Sequence, residues 1–188
     1  DPRVEILHQS VIDAPVIMKG DYPYFIHPLT DGVPTQTAEL LSSARDLIYE
    51  KVNWEEVDII LGIEAMGIPL AAALCIKSGK PLVIGRKRQY GLPGETSIDQ
   101  STGYSKGAIY LNDISSGDRV FIVDDVVSTG GTLLPILQAI DRIGAIVSDC
   151  WIVFEKGEGM NNVRAKGNWP LNSLVRIRME GEKVVLLD

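Results

Sequence analysis

Short apolar runs alternate with stretches of helical period through the middle of this chain, and that alternation limits the possible folds more than any other feature. VDIIL at 57–61, PLVIG at 81–85, DRVFIVDD at 118–125 and AIVSDCWIVFE at 145–155 read as buried strands. TAELLSSARDLIYEKV from Thr37, IPLAAALCIKSGK from Ile68 and TLLPILQAIDRIG from Thr132 carry apolar residues at helical spacing. Gly79 closes the second of these, and Pro135 sits in the first turn of the third, where proline is tolerated. Strands alternating with helices predict an α/β fold, a doubly wound and mostly parallel sheet flanked by helices. A length of 188 residues suits one such domain.

Between Arg86 and Gly107 no period survives, and the polar stretch RKRQYGLPGETSIDQSTGYSKG reads as a long loop. Loops of that length in compact domains are usually functional. AIYLN after it suggests a hairpin strand, and SLVRIRM and KVVLL near the end alternate over short spans. The net charge of −7 argues against nucleic acid or an anionic membrane as partner. No run approaches a membrane span, and the first residues lack a basic-then-apolar leader pattern, so a cytoplasmic location is expected. The two cysteines, Cys75 and Cys150, fall in apolar periodic segments and read as core residues. With His8 and His27 the only histidines, a histidine-rich metal centre is excluded.

The chemistry concentrates in VFIVDDVVSTGGT, residues 120–132. A buried strand runs into two adjacent carboxylates and then into a small, hydroxyl-rich turn that opens a helix. In an open α/β sheet, ligands bind beyond the carboxyl ends of the strands. There the glycines let successive N–H groups converge, and the helix N-terminus adds positive potential. Ser128, Thr129, Gly130, Gly131 and Thr132 therefore form a candidate phosphate cradle, with Asp124 and Asp125 as acceptors beside it. A bare phosphate gains nothing from neighbouring acids. A sugar phosphate does, because its diol donates to them. Neither the lysine of a nucleotide P-loop nor a dinucleotide Gly-x-Gly-x-x-Gly occurs here.

This segment resembles the signature of the type I phosphoribosyltransferases, which binds the ribose 5-phosphate of phosphoribosyl pyrophosphate (PRPP). GIEAMGIPLA is similar to that family's pyrophosphate loop, RKRQYGLPGE to its basic segment and GYSKG to the end of its mobile catalytic loop. The resemblance implies one domain over 1–188, with a core of about 35–156 and a small hood over the base from about 1–34 and 157–188. It gives pyrophosphate to Glu64, Ala65, Met66 and Gly67, and to Arg86, Lys87 and Arg88, whose segment often reaches a neighbouring subunit's site. A homodimer is thus implied. Asp124 and Asp125 would hold the ribose diol and touch, through water, a magnesium ion carried in with PRPP. Tyr104 would cover the reacting centre, although Gly103 stands where adenine enzymes of the family place a glutamate. Ser128 stands where mammalian-type hypoxanthine–guanine enzymes have an aspartate.

The choice of base rests on VFEKGEG. Lys156 follows the fourth strand and resembles the lysine of xanthine-type enzymes; a solvated turn lysine is the plain alternative. An ammonium only donates, so it suits the carbonyl O6 of hypoxanthine or guanine rather than the amino group of adenine. Phe154, Phe25 and His27 are candidates to line the base, with core packing an equal prospect for Phe154, and Met18 belongs to the same hood by analogy. The expected activity is transfer of phosphoribosyl from PRPP to a 6-oxopurine, most like the archaeal-type enzymes, giving IMP or GMP. An adenine phosphoribosyltransferase is one alternative, and a purine- or PRPP-sensing regulator the other.

Overall fold

The computed structural model describes residues 1–101 and 106–187. Helix α1 (Pro2–Ile12) is followed by the hairpin β1 (Val16–Lys19) and β2 (Tyr22–Phe25), the single turn α2 (Pro28–Asp31) and helix α3 (Ala38–Tyr49). Then come β3 (Ile59–Ile63), α4 (Gly67–Ser78) and β4 (Leu82–Gly85). A second hairpin, β5 (Thr96–Ser101) with β6 (Lys106–Leu111), precedes β7 (Arg119–Val127), α5 (Leu133–Ile143) and β8 (Ile146–Lys156). The short helix α6 (Gly159–Arg164) leads to β9 (Leu171–Glu180) and β10 (Lys183–Leu187).

The central sheet has six strands in the order β10-β9-β8-β7-β3-β4. All neighbours pair in parallel except β9 with β10. The carboxyl ends of β3, β4, β7 and β8 therefore share one edge, which carries Glu64, Arg86, Asp124 and Lys156. One face of the sheet packs Ile60, Phe121, Val123 and Val153 against Leu7, Ala44, Ile48 and Leu74 of α1, α3 and α4. The other packs Leu61, Ile122 and Ile152 against Leu137 and Ile140 of α5 and against Ile98 and Ile109 of the second hairpin. Helices on both faces make the sheet doubly wound, as the alternation predicts. Among the described residues no helix is long and apolar enough to cross a membrane.

Two parts of the layout differ from the expected one. Among the described residues of the two terminal segments, the β1–β2 hairpin and α2 alone line the site as a hood. Helix α1 is core, burying Leu7 and Val11, and residues 171–187 extend the sheet. The aperiodic stretch after Arg86 is also not all loop. Its second half forms β5, where Ile98 is the apolar residue buried among polar neighbours.

His27 illustrates how tightly the hood is tied to this core. Its ring is fully buried, and Nδ1 accepts from Leu29 N at 3.0 Å, capping α2. An N–H can only donate, so the proton sits on Nε2, which meets Ser10 Oγ at 2.8 Å; that hydroxyl donates to Leu7 O at 2.6 Å. Burial lowers the His27 pKa from 6.5 to about 4 against a weaker opposing pull from Asp31. Because the folded chain binds the proton less readily, this stability is complete above pH 6.5 and is lost as pH falls toward 4. The loss is on the order of 3 kcal/mol over that window. Urea melts at pH 6.5 and 4.5 should show it, and His27→Gln should flatten this acid limb. An unchanged slope in the variant would remove His27 as its source.

Candidate active site

The carboxyl edge of the sheet opens on a cleft of about 600 Å3, within the ~300–1,000 Å3 usual for small-molecule sites. Its floor is the turn from Ser128 to Thr132, one side is Asp124 with Val126 and Val127, and the roof is Tyr22, Tyr24 and Thr30 of the hood. Lys156 completes the lining, one residue past Glu155, which pairs with Val127 on the neighbouring strand. The turn has the character of a cradle: Gly131 N donates to Thr129 Oγ1 at 3.1 Å and Leu134 N to Gly130 O at 3.0 Å. Gly130 has φ +83, and a Cβ there would lie 2.6 Å from Val163 Cγ2, so this position requires glycine. Beneath it, a Cβ on Gly159 would fall 1.9 Å from Ser128 O. The turn therefore rests directly on α6. From above, Gln100 Nε2 of the second hairpin donates to Thr132 Oγ1 at 2.6 Å.

The paired acids diverge. Asp124 lines the cleft, accepts from Asp125 N at 2.9 Å through Oδ1, and abuts Gly67 at the start of α4. Asp125 borders an adjoining apolar pocket of about 160 Å3 with Met66, Leu29 and Gln36. Burial raises the Asp124 pKa despite the hydrogen bonds from Asp125. Burial and then repulsion from Asp124 push Asp125 well above the usual carboxylate range. The fold thus holds two acids that resist carrying both charges until a donor or a cation joins them.

The loop after β3 and the basic segment meet through Glu64. Arg86 Nε donates to Glu64 Oε1 at 2.5 Å, and Lys87 N to the same oxygen at 3.3 Å. The hydrogen bond from Arg86 holds the Glu64 carboxyl below its ordinary value against its partial burial. The Glu64–Ala65 peptide is cis. Arg88 stacks its guanidinium over the Tyr90 ring at 5.4 Å, and Lys87 and Arg88 are exposed, neither lining the cleft of this chain.

Lys156 Nζ donates to Tyr22 Oη at 3.0 Å and lies 5.7 Å from the centre of the Tyr24 ring. Of the other residues expected around a base, Phe25 is 6 % exposed and meets the cleft only at its back wall. His27 and Phe154 do not reach it. Both are fully buried, their rings 4.8 Å apart and edge to face, and His27 spends its nitrogens on Ser10 of α1 and Leu29 of α2. Met18 is exposed on β1 and borders a neighbouring groove with Lys156 and Arg178 instead. Tyr104 lies outside the described residues. The period of two along Tyr22-Pro23-Tyr24-Phe25 is the signal that separates the cleft-facing tyrosines from the core-facing Phe25.

Residues 35–168 match the family model described as phosphoribosyl transferase domain. The chain belongs to the phosphoribosyltransferase family. A hypoxanthine/guanine phosphoribosyltransferase of Ferroglobus placidus is 50% identical over 182 residues, covering 97% of this chain and 96% of that protein. One of Methanothrix thermoacetophila is 47% identical over 187 residues, with 98% and 96% covered. Among solved structures, adenine phosphoribosyltransferase from Rhodothermus marinus superposes with a TM-score of 0.75 at 24% identity, covering 93% of this chain and 98% of that one. The Trypanosoma brucei adenine enzyme in complex with AMP, pyrophosphate and ribose-5-phosphate gives 0.77 at 19%, covering 94% and 80%. At these identities the solved structures establish a shared phosphoribosyltransferase fold.

Proposed function

We propose that this phosphoribosyltransferase is a cytoplasmic purine-salvage enzyme that joins hypoxanthine or guanine to the phosphoribosyl group of PRPP, releasing pyrophosphate. The observation that carries the reading is the cleft itself, which gathers a hydroxyl- and amide-rich turn, the Asp124 carboxylate and the Lys156 ammonium in one lining. The names of the archaeal relatives, which match over nearly the whole chain, support the same reading.

The parts then divide the work. Ser128–Thr132 grip the 5-phosphate through backbone N–H groups and hydroxyls. Asp124 accepts from a ribose hydroxyl and faces the positive charge that builds on the ribose ring as the C1′–pyrophosphate bond breaks and the N9–C1′ bond forms. Asp125 enters by reorienting toward the second hydroxyl. Glu64–Gly67 and Arg86 receive pyrophosphate, and Lys87 and Arg88, standing outside their own cleft, serve the site of a second copy in a homodimer. Among the described residues no group of three or more His, Cys, Asp or Glu is arranged to hold a metal. Two acids alone suit a magnesium ion that brings phosphate ligands with it, reached from Asp124 and Asp125 through water. Bound there, magnesium supplies charge neutralisation to the leaving group. The hood excludes water from the reacting centre.

Lys156 selects the base. Facing the adenine amino group, its donors would stay unpaired, a cost of roughly 1–3 kcal/mol. A spectrophotometric assay with PRPP and each of hypoxanthine, guanine and adenine should show turnover of the two oxopurines and at least tenfold less with adenine. Lys156→Met should lower kcat/KM for hypoxanthine about 10–100-fold and narrow the gap to adenine. Turnover of adenine alone would replace this reading with an adenine phosphoribosyltransferase.

A further inference from the structure

The carboxylate just before Lys156 takes no direct part in the chemistry above, yet it is the most enclosed charged side chain among the described residues. Glu155 is 2 % exposed. Arg164 Nη1 donates to its Oε1 at 2.9 Å, Ser173 Oγ to its Oε2 at 2.6 Å, and Arg176 Nε stands 4.0 Å from Oε1. Burial opposes the charge, but the hydrogen bonds from Arg164 and Ser173, with the nearby charge of Arg176, hold the carboxyl below its usual range. A buried carboxylate this fully answered stays ionised and fixes whatever it grips. What it grips is the last turn of α6, for Arg164 also donates to Asn161 Oδ1 at 2.8 Å within that helix.

Helix α6 is anchored in the core by Met160 and Val163, both buried, and its last turn is held by Glu155 through Arg164. It is six residues long, too short to be stable alone, and no side chain caps its start. Two of its three buried residues meet the sugar-phosphate turn: Gly159 lies against Ser128 O and Thr129, and Val163 against Gly130. The spacing at Gly159 leaves no room for even one carbon, so any shift of α6 toward the turn moves the turn.

We propose that Glu155 is a positioning residue for the phosphate turn: by holding Arg164 it sets the depth of α6 and, through Gly159 and Val163, the shape of the Ser128–Gly131 cradle. The effect reaches the cradle and spares the lysine proposed to meet the base, because Lys156 is tied separately to Tyr22. The inference rests on the functional reading only in taking a sugar phosphate as the cradle's ligand.

Arg164→Gln and Glu155→Gln test it, with Asp58→Ala as a comparison that removes an ion pair to Arg119 at the opposite end of the strands. Two measurements are needed: steady-state kinetics with PRPP and hypoxanthine, and calorimetric titration of the same proteins with ribose 5-phosphate. Each cradle variant should raise the PRPP KM and the ribose 5-phosphate dissociation constant about 5–10-fold, with kcat and the hypoxanthine KM within twofold of the parent. The double variant should be no worse than the single ones. Asp58→Ala should lower the melting temperature without moving either phosphate constant. Folded Arg164→Gln protein with both constants within twofold of the parent would reduce the Glu155 cluster to a structural brace and overturn the proposal, even if Glu155→Gln fails to fold. A parent that binds ribose 5-phosphate but turns over no purine would overturn the enzymatic reading alone, and the titrations would still decide this one.

Discussion

Replacing Asp124 by asparagine is expected to depress kcat by roughly 10²-fold while making the folded protein more stable. The two effects share one cause. In the resting fold Asp124 and Asp125 are adjacent, enclosed and mutually repelling, and both carboxyls are pushed up, Asp125 the further. A carboxyl whose folded pKa is raised binds its proton more tightly folded than unfolded, so stability falls as pH rises through the window between the two values. Asparagine at 124 keeps an oxygen for the 2.9 Å bond from Asp125 N but removes one charge. Melts followed by circular dichroism should therefore show Asp124→Asn above the parent at pH 8, by about 2–4 °C for each ~1 kcal/mol relieved. The advantage should shrink as pH falls below the ordinary carboxylate value of 3.8, where both acids become protonated in the unfolded as well as the folded state. In the role proposed for Asp124, turnover needs the charge that stability disfavours, and a preorganised group facing the transition state is worth about 10²–10³ in rate. A variant that is stabilised yet fully active would take Asp124 out of the reaction; one that is inactive and destabilised would mean its role is mainly structural.

Alanine at Gly159 is expected to be the most damaging single-methyl change in the molecule. The new Cβ would lie 1.9 Å from Ser128 O and 2.9 Å from Thr129 C, both backbone atoms that cannot swing aside. Overpacking of this kind costs about 1–3 kcal/mol or more. At ~2–4 °C per kcal/mol the melting temperature should drop by roughly 2–12 °C. The larger consequence is for ligand. To admit the methyl group the cradle must deform, so ribose 5-phosphate affinity should fall at least tenfold in calorimetric titration. Gly157→Ala gives the contrast. It forces a side chain onto positive φ (+64), but into open space, so it should cost about 1–2 kcal/mol and leave phosphate affinity intact. Equal losses of affinity in the two variants would mean that α6 does not support the turn.

What could be read from the residues follows from which signals are local. β3, β7 and β8 are buried on both faces and spell themselves as continuous apolar runs, and Gly79 and Gly144 stop α4 and α5 with left-handed caps. The cradle was legible because turn, acids and helix start are contiguous at 124–132. α1 was not, because it buries only Leu7 and Val11 and its pattern is too sparse to register. Nor was β5, whose polar sequence is a strand only because β6 pairs with it and Ile98 finds the core. The place of β9 and β10 in the main sheet depends on pairing with β8, a choice made across the chain. Phe154 and His27 were the misjudged site residues, and the reason is geometric. Aromatic character suits a base and a core equally, and only the neighbours of each ring tell them apart. Glu155, Arg164 and Gln100 left no local trace, since each matters through a partner distant in sequence.

The β1–β2 hairpin has a consequence of its own. It is a separate two-stranded ribbon, outside the central sheet, and it supplies the tyrosines that flank Lys156. In the proposed reading, sugar and phosphate fall to the frame of β3, β4, β7 and α6. The nucleobase is met jointly by Lys156 at the end of β8 and by this ribbon of about ten residues laid over it, so exchanging the ribbon alone is a route by which descendants of one scaffold shift their substrates while their shared chemistry stays untouched.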